Sequence, residues 1–168
     1  MEREKRLIYF ENLYKKIAHK EITEIEEGLI EYIREQVKSD IDVDNKENIE
    51  IYKTLLDDNF PIDIEYIIEF FEYLLDKDQK NENGIVFTPK YISDFIVQDS
   101  LNDIENWSSN IKIIDPGCGC GIFLISAIEY IHKKYNIDIN TIIENNIYGI
   151  DIMEENARRC QLAIELYC

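Results

Sequence analysis

The stretch Ile113-Ile114-Asp115-Pro116-Gly117-Cys118-Gly119-Cys120-Gly121-Ile122-Phe123-Leu124 constrains the fold more than any other part of this chain. Ile111 to Ile114 is a short β-branched apolar run and reads as a buried strand. It ends on a carboxylate and breaks into a turn with three glycines, which accept positive φ and let a backbone pass close to its neighbours. From Gly121 to about Tyr135, Phe123, Leu124, Ala127, Ile128 and Ile131 recur at helical spacing. A second strand, Ile147 to Ile150, is closed by Asp151, and a second helix runs from Glu154 to Tyr167. The order strand, helix, strand, helix predicts a parallel sheet with a right-handed crossover. A typical sheet has roughly five strands, so a sheet of two reads as incomplete.

Upstream the texture differs. Residues 1 to about 80 hold one glycine and one proline, and apolar residues recur at three- and four-residue spacing, as in Leu7, Ile8, Phe10, Leu13, Tyr14 and Ile17. That spacing predicts a helix. A second helix is expected from Glu21 to Val37, with Ile22, Ile25, Leu29, Ile30 and Ile33 on one stripe and the glutamates facing water. The polar stretch Ser39 to Asn48 separates it from a short helix at Ile49 to Leu56. Asn59-Phe60-Pro61 then breaks the chain, because a residue before proline avoids helical geometry. A fourth helix is expected from Asp63 to Leu75, and Asp76 to Gly84 is polar enough to be a linker. The expected division is therefore a helical region over 1–80 and an α/β region over 81–168.

Composition narrows the chemistry. At 45% apolar the chain can bury a core, yet its formal net charge is −17, spread over both regions. Such a surface repels a phosphate backbone, so any nucleic acid would have to be gripped by residues elsewhere. No apolar run approaches the roughly 20 residues that span a bilayer. The charged start Met1 to Arg6 leads into no secretory apolar core, and a cytoplasmic protein with no membrane partner is expected. The cysteines, Cys118, Cys120, Cys160 and Cys168, fall in the last third and are expected as free thiols. Cys-x-Cys with His132 is not a zinc spacing, so no metal is expected.

A carboxylate at a strand end, beside the unbonded amides of a helix start, suits a ligand that carries a cation for Asp115 and an anion for the helix. A zwitterionic amino acid is one. The rival is a dinucleotide, since glycine-rich turns after strands also hold pyrophosphate. The spacing here, however, is Gly-x-Gly-x-Gly, and Asp115 would sit beside the diphosphate and repel it. Asp151 also lies farther beyond the glycines than the roughly 20 residues of the dinucleotide pattern. A P-loop is excluded because no Gly-Lys-Ser or Gly-Lys-Thr follows. Asp151 itself has two readings: an acceptor for both ribose hydroxyls, or a cap for the helix starting at Glu154.

At these residues the chain resembles a known family. Asp115-Pro116-Gly117-Cys118-Gly119-Cys120-Gly121-x-Phe123-Leu124 is similar to the Asp-Pro-Ala-Cys-Gly-Ser-Gly-x-Phe-Leu motif of adenine-N6 DNA methyltransferases, including the modification subunits of type I restriction systems. Upstream, Gly84-Ile85-Val86-Phe87-Thr88-Pro89 resembles the family's Thr-Pro segment, in the same order. Gly149-Ile150-Asp151-Ile152 followed by Asn156-Ala157 resembles its third cofactor element. The resemblance covers Gly84 to Ala163. It implies a helical region followed by the start of a Rossmann-like class I methyltransferase domain that binds S-adenosylmethionine. By the same resemblance Thr88 would contact the methionine carboxylate, Asp115 the amino group and Asp151 the ribose. Gly117, Gly119 and Gly121 would let the chain pass close, and Phe87, Phe123 and Ile152 would pack around adenosine. For Thr88 a cap before Pro89 is the other reading, and both can hold together. Gly117 and Cys120 stand where the family has alanine and serine.

The family positions its target base with Asn-Pro-Pro-Tyr or a close variant, and no such segment occurs in residues 1–168. The resemblance thus implies a cofactor-binding portion without catalytic residues, inactive alone. DNA would be contacted through regions absent here, with specificity and restriction subunits as partners. Two other readings remain open: a truncated, non-catalytic interaction module, and a methyltransferase acting on RNA or protein.

Overall fold

A computed structural model of the chain describes residues 2–38, 49–74 and 88–167. It falls into two units, Met1–Asp76 and Lys77–Cys168. The expected linker Asp76 to Gly84 and the polar stretch Ser39 to Asn48 lie outside the described residues, as does Phe87.

The first unit is built from α1 (Glu2–Ile17), α2 (Ile22–Lys38), α3 (Ile49–Asp57) and α4 (Ile64–Leu74). Its core is rich in aromatic rings. Phe70 lies 5.3 Å from Phe10 and 5.4 Å from Phe60, ring centre to ring centre. Ile25, Leu29 and Ile33 of α2 are fully buried. On α1 the buried stripe is Phe10, Leu13 and Ile17, whereas Leu7 and Ile8 face solvent. The break after α3 has a different cause from the one proline suggests. Asn59 adopts φ +48°, the Phe60 N–H donates to Leu55 C=O and the Asn59 N–H to Leu56 C=O. This is the paired hydrogen-bond pattern of a helix ended by a left-handed residue. The Tyr32 hydroxyl then donates to Phe60 C=O at 3.1 Å and holds the turn against α2. Asp63 lies just outside α4 and caps it, its Oδ1 accepting from the Glu65 and Tyr66 amides.

The second unit contains α5 (Lys90–Leu101), β1 (Ile113–Asp115), α6 (Ile122–Tyr135), α7 (Ile139–Asn146), β2 (Ile147–Gly149) and α8 (Glu154–Glu165). β1 and β2 pair in parallel, with Ile113 opposite Ile147, Ile114 opposite Tyr148 and Asp115 opposite Gly149. Ile113 and Ile147 pack into a core with Ala127, Ile128, Ile131 and Ile142. Their neighbours Ile114 and Tyr148 are exposed, so the opposite face of the sheet is uncovered among the described residues. The observed architecture is a mostly helical α/β arrangement around a two-stranded parallel sheet.

The strands are shorter than the apolar runs suggest. Ile111 and Lys112 precede β1, and Ile150 continues past β2 without being part of it. α7 is absent from the sequence reading. Its asparagine-rich stretch has weak helical propensity, and the helix depends on Asp138, whose side chain accepts from the Thr141 amide at 3.0 Å. α6 ends at Asn136 in a left-handed conformation. Lys134 extends from its last turn to the carbonyls of Leu101, Asn102 and Ile104, closing the end of α5. The two helices are also joined by the buried hydroxyls of Ser93 and Ser126, 2.8 Å apart, and by Lys90 with Glu129. Pro89 is itself the N-cap of α5, so Thr88 stands one residue outside the cap and the capping reading of Thr88 is not met.

Candidate functional site

The two parallel strands each lead into a carboxylate at the same end of the sheet: Asp115 closes β1 opposite Gly149, and Asp151 follows β2 two residues beyond Gly149. The loops are sewn together by backbone bonds: Ile150 N–H to Asp115 C=O at 2.8 Å and Cys118 N–H to Ile150 C=O at 3.0 Å. Asp151 adds a side-chain bond across the same gap, its Oδ2 accepting from the Gly119 amide at 2.9 Å. Its Oδ1 accepts from the Met153 amide at 2.9 Å. Asp151 therefore precedes the α8 cap at Met153 rather than being that cap, and it links the two turns. Asp115 turns onto its own loop, Oδ1 accepting from the Gly117 amide at 3.1 Å. Among the described residues its Oδ2 accepts no hydrogen bond and is left for a donor.

The three glycines are not equivalent. Gly119 and Gly121 have φ of +51° and +90°, the left-handed region that disfavours side chains. A Cβ on Gly121 would also lie 2.8 Å from Cys160 Sγ on α8. Gly117 shows neither property: its φ is not positive and a Cβ there would meet nothing within 4 Å. The positive φ expected of the glycines is therefore found at Gly119 and Gly121 and not at Gly117, where a Cβ would meet no protein atom within 4 Å. Gly149 opens the Gly149-Ile150-Asp151-Ile152 segment without an expected role of its own, yet a Cβ there would fall 2.9 Å from Leu124 and 3.2 Å from Cys118 Sγ. Its strand must be bare for the glycine loop to lie on it. The sequence signal is only its position two residues before Asp151.

Cys118, Cys120 and Cys160 are free and buried, and Cys118 and Cys160 cluster with Leu124 beneath the loop. Burial pushes the Cys118 thiol up, partly offset by its contact with Cys160, and the Asp151 and Asp115 charges add to the rise. Burial, then Cys118, pushes Cys160 higher still. The thiols are therefore neutral packing groups at neutral pH, not nucleophiles. Gly121 caps α6 at the same spot, and the first-turn amides of that helix have no acceptor within it.

A cleft of about 310 Å³ runs between α5, β1 and α6, lined by Val97, Ser100, Asp115, Pro116 and Phe123 among others. A second, of about 470 Å³, lies against β2 and α8, with Gly149, Cys118 and Cys160 on its wall. Asp115 lines the first cleft, and neither wall includes Gly119 or Asp151. The structure thus brings together Asp115, Pro116, Gly117, Cys118, Gly119, Gly121 and Asp151, with Phe123 half-buried in the first cleft. Ile152 is wholly exposed and Thr88 is half-buried at the start of α5. Phe87 lies outside the described residues.

The profile of the N-6 DNA methylase family matches residues 62–167. It begins earlier than the motifs do and takes in α4. The chain is 32% identical over 90 residues to the type II methyltransferase M.VspI of Vibrio sp. (strain 343), covering 54% of this chain and 19% of that protein. It is 37% identical over 84 residues to the type I restriction enzyme MjaIX methylase subunit of Methanocaldococcus jannaschii, covering 48% of this chain and 13% of the relative. With the MjaVII methylase subunit of the same organism it shares 31% over 114 residues, 67% of this chain and 18% of the relative. The chain thus spans less than a fifth of the length of these curated relatives. No solved structure matches it. With the glycine loop, both strand-end acids and all of α5 to α8 inside the matched stretch, the chain belongs to the N-6 DNA methylase family of restriction-modification systems.

Proposed function

We propose that residues 88–167 are the S-adenosylmethionine-binding start of a Rossmann-like class I domain in a site-specific adenine-N6 DNA methyltransferase. The observation that carries this reading is the pair of strand-end carboxylates, Asp115 and Asp151, flanking a glycine loop that caps α6. The residues fit the cofactor's charges. Asp115 Oδ2 accepts nothing among the described residues and takes the methionine ammonium. The first-turn amides of α6, with Thr88, take the carboxylate. Asp151 takes a ribose hydroxyl. A carboxylate has about four lone-pair positions, and Gly119, Met153 and Asn156 occupy three on Asp151. One hydroxyl is therefore received as the loop stands, and a grip on both hydroxyls requires an amide to let go. Phe123 and Ile152 lie near these groups in sequence and contribute apolar surface.

The cofactor supplies a sulfonium methyl group for transfer to an exocyclic amine. The residues of this chain bind and orient it; none of them positions a base, since residues 1–168 hold no Asn-Pro-Pro-Tyr segment. With a net charge of −17 they do not grip DNA either. Recognition of DNA, and assembly with specificity and restriction subunits, belong to other residues of the system. The names of the type I methylase subunits among the relatives support that division.

Titration calorimetry with S-adenosylmethionine tests the reading. Binding that is lost in Asp115→Ala and Asp151→Ala, with folding retained, is expected. A folded chain that binds no cofactor overturns it in favour of an interaction module.

A further inference from the structure

The carboxylate of Asp151 is held from behind by two buried polar residues on α8. Its Oδ1 accepts from Asn156 Nδ2 at 3.3 Å, and Asn156 Oδ1 accepts from an Arg159 guanidinium N–H at 2.9 Å. Asn156 and Arg159 are 4% and 5% exposed, and their spacing of three puts them on one helix face. An amide has one donor end and one acceptor end, so this pair of neighbours permits one orientation. Arginine only donates and a carboxylate only accepts. Turned over, the amide would set its oxygen against Asp151 and its nitrogen against the guanidinium, two repulsive contacts in a buried place where unmet polar groups are costly.

We infer that Asn156 and Arg159 are positioning residues for Asp151: Arg159 fixes the orientation of the Asn156 amide, and that amide fixes the carboxylate. The inference rests on Asp151 being the ribose acceptor. With Met153 and Asn156 both bonded to Oδ1, the remaining acceptor position lies on Oδ2 beside the Gly119 amide. A ligand hydroxyl is therefore taken on the side of the glycine loop, and the relay selects ligands that present a hydroxyl there.

The test uses the whole chain with S-adenosylhomocysteine and with its 2′,3′-dideoxyribose counterpart, together with hydrogen exchange at the Gly119 amide. Asn156→Leu, which keeps volume and loses the donor, is expected to weaken the diol ligand about tenfold, as for one hydrogen bond to a charged group. The dideoxy ligand should bind it as it binds the parent. Protection of the Gly119 amide should fall while that of Leu162, within α8, stays unchanged. Asn156→Asp, which keeps the bond to Arg159 but turns an acceptor toward Asp151, should lose more than Asn156→Leu. Should Asn156→Leu fail to fold, Arg159→Met carries the same comparison, since it leaves Asn156 in place but free to turn. Equal losses for both ligands, or unchanged Gly119 protection, overturn the relay. If the parent chain binds neither ligand, the cofactor reading fails by itself and the Gly119 exchange alone decides the relay.

Discussion

Gly117 and Gly121 look alike in the sequence and have opposite requirements in the structure. At Gly121 an alanine would bring two penalties, a side chain at φ +90° and a Cβ 2.8 Å from Cys160 Sγ. Gly121→Ala is expected to cost about 2 kcal/mol or more in urea unfolding. Gly117→Ala, with open space and ordinary φ, should stay within about 0.5 kcal/mol of the parent and gain slightly from a stiffer unfolded chain. Both sites are read from spacing alone as glycines of one turn; only backbone geometry separates them. Asp151 teaches the same lesson differently. Its position after an apolar run was legible, but its bond to Gly119, 32 residues earlier in the chain, was not.

At the scale of elements, amphipathic spacing located six of the eight helices among the described residues to within a few positions, while α5 was legible only through Pro89 as a helix start. It failed where a single side chain decides the outcome, because propensity is weak beside a specific cap. α7 exists through Asp138, and α3 stops through Asn59, neither of which announces itself by periodicity. α4 supplies a direct check, since Asp63 accepts from the second and third helical amides. Asp63→Ala should lower stability by about 1 kcal/mol. The α5 to α6 contact gives an asymmetric prediction. Ser93 donates to Lys90 C=O, so Ser126 must donate to Ser93 Oγ. Ser93→Ala strands a buried donor and should cost about 1–3 kcal/mol. Ser126→Ala leaves Ser93 still bonded to Lys90 and should cost clearly less, the two being compared by thermal unfolding.

For the whole molecule, the groups with raised pKa set the alkaline limit. Burial, followed by the Asp58 charge, lifts Tyr9 to about 12 from the ordinary 10.0, and burial lifts Cys118 and Cys160 above the ordinary 9.0. In each case folding favours the protonated form. That stability is complete below the unfolded pKa and is lost as pH rises toward the folded one. Urea midpoints should therefore hold steady to about pH 9 and decline above it, thiols first and Tyr9 between pH 10 and 12. A midpoint that rises above pH 9 contradicts this. The same burial predicts slow alkylation of Cys118 and Cys160 by iodoacetamide in the folded chain. Patterning by itself determined the helical first part, the strand, glycine loop and helix order of the second, and the two acids at the strand ends, because burial periodicity and the conformational freedom of glycine are local properties. Tertiary structure alone decided which glycines are obligatory, which lone pairs of Asp151 remain open, and that Asn156 and Arg159 stand behind it. The Gly121 contact with Cys160 and the Asp151 bond to Gly119 join residues more than 30 apart. The bonds through Asn156 and Arg159, though local in the chain, depend on how the turn after β2 enters α8, which periodicity does not specify.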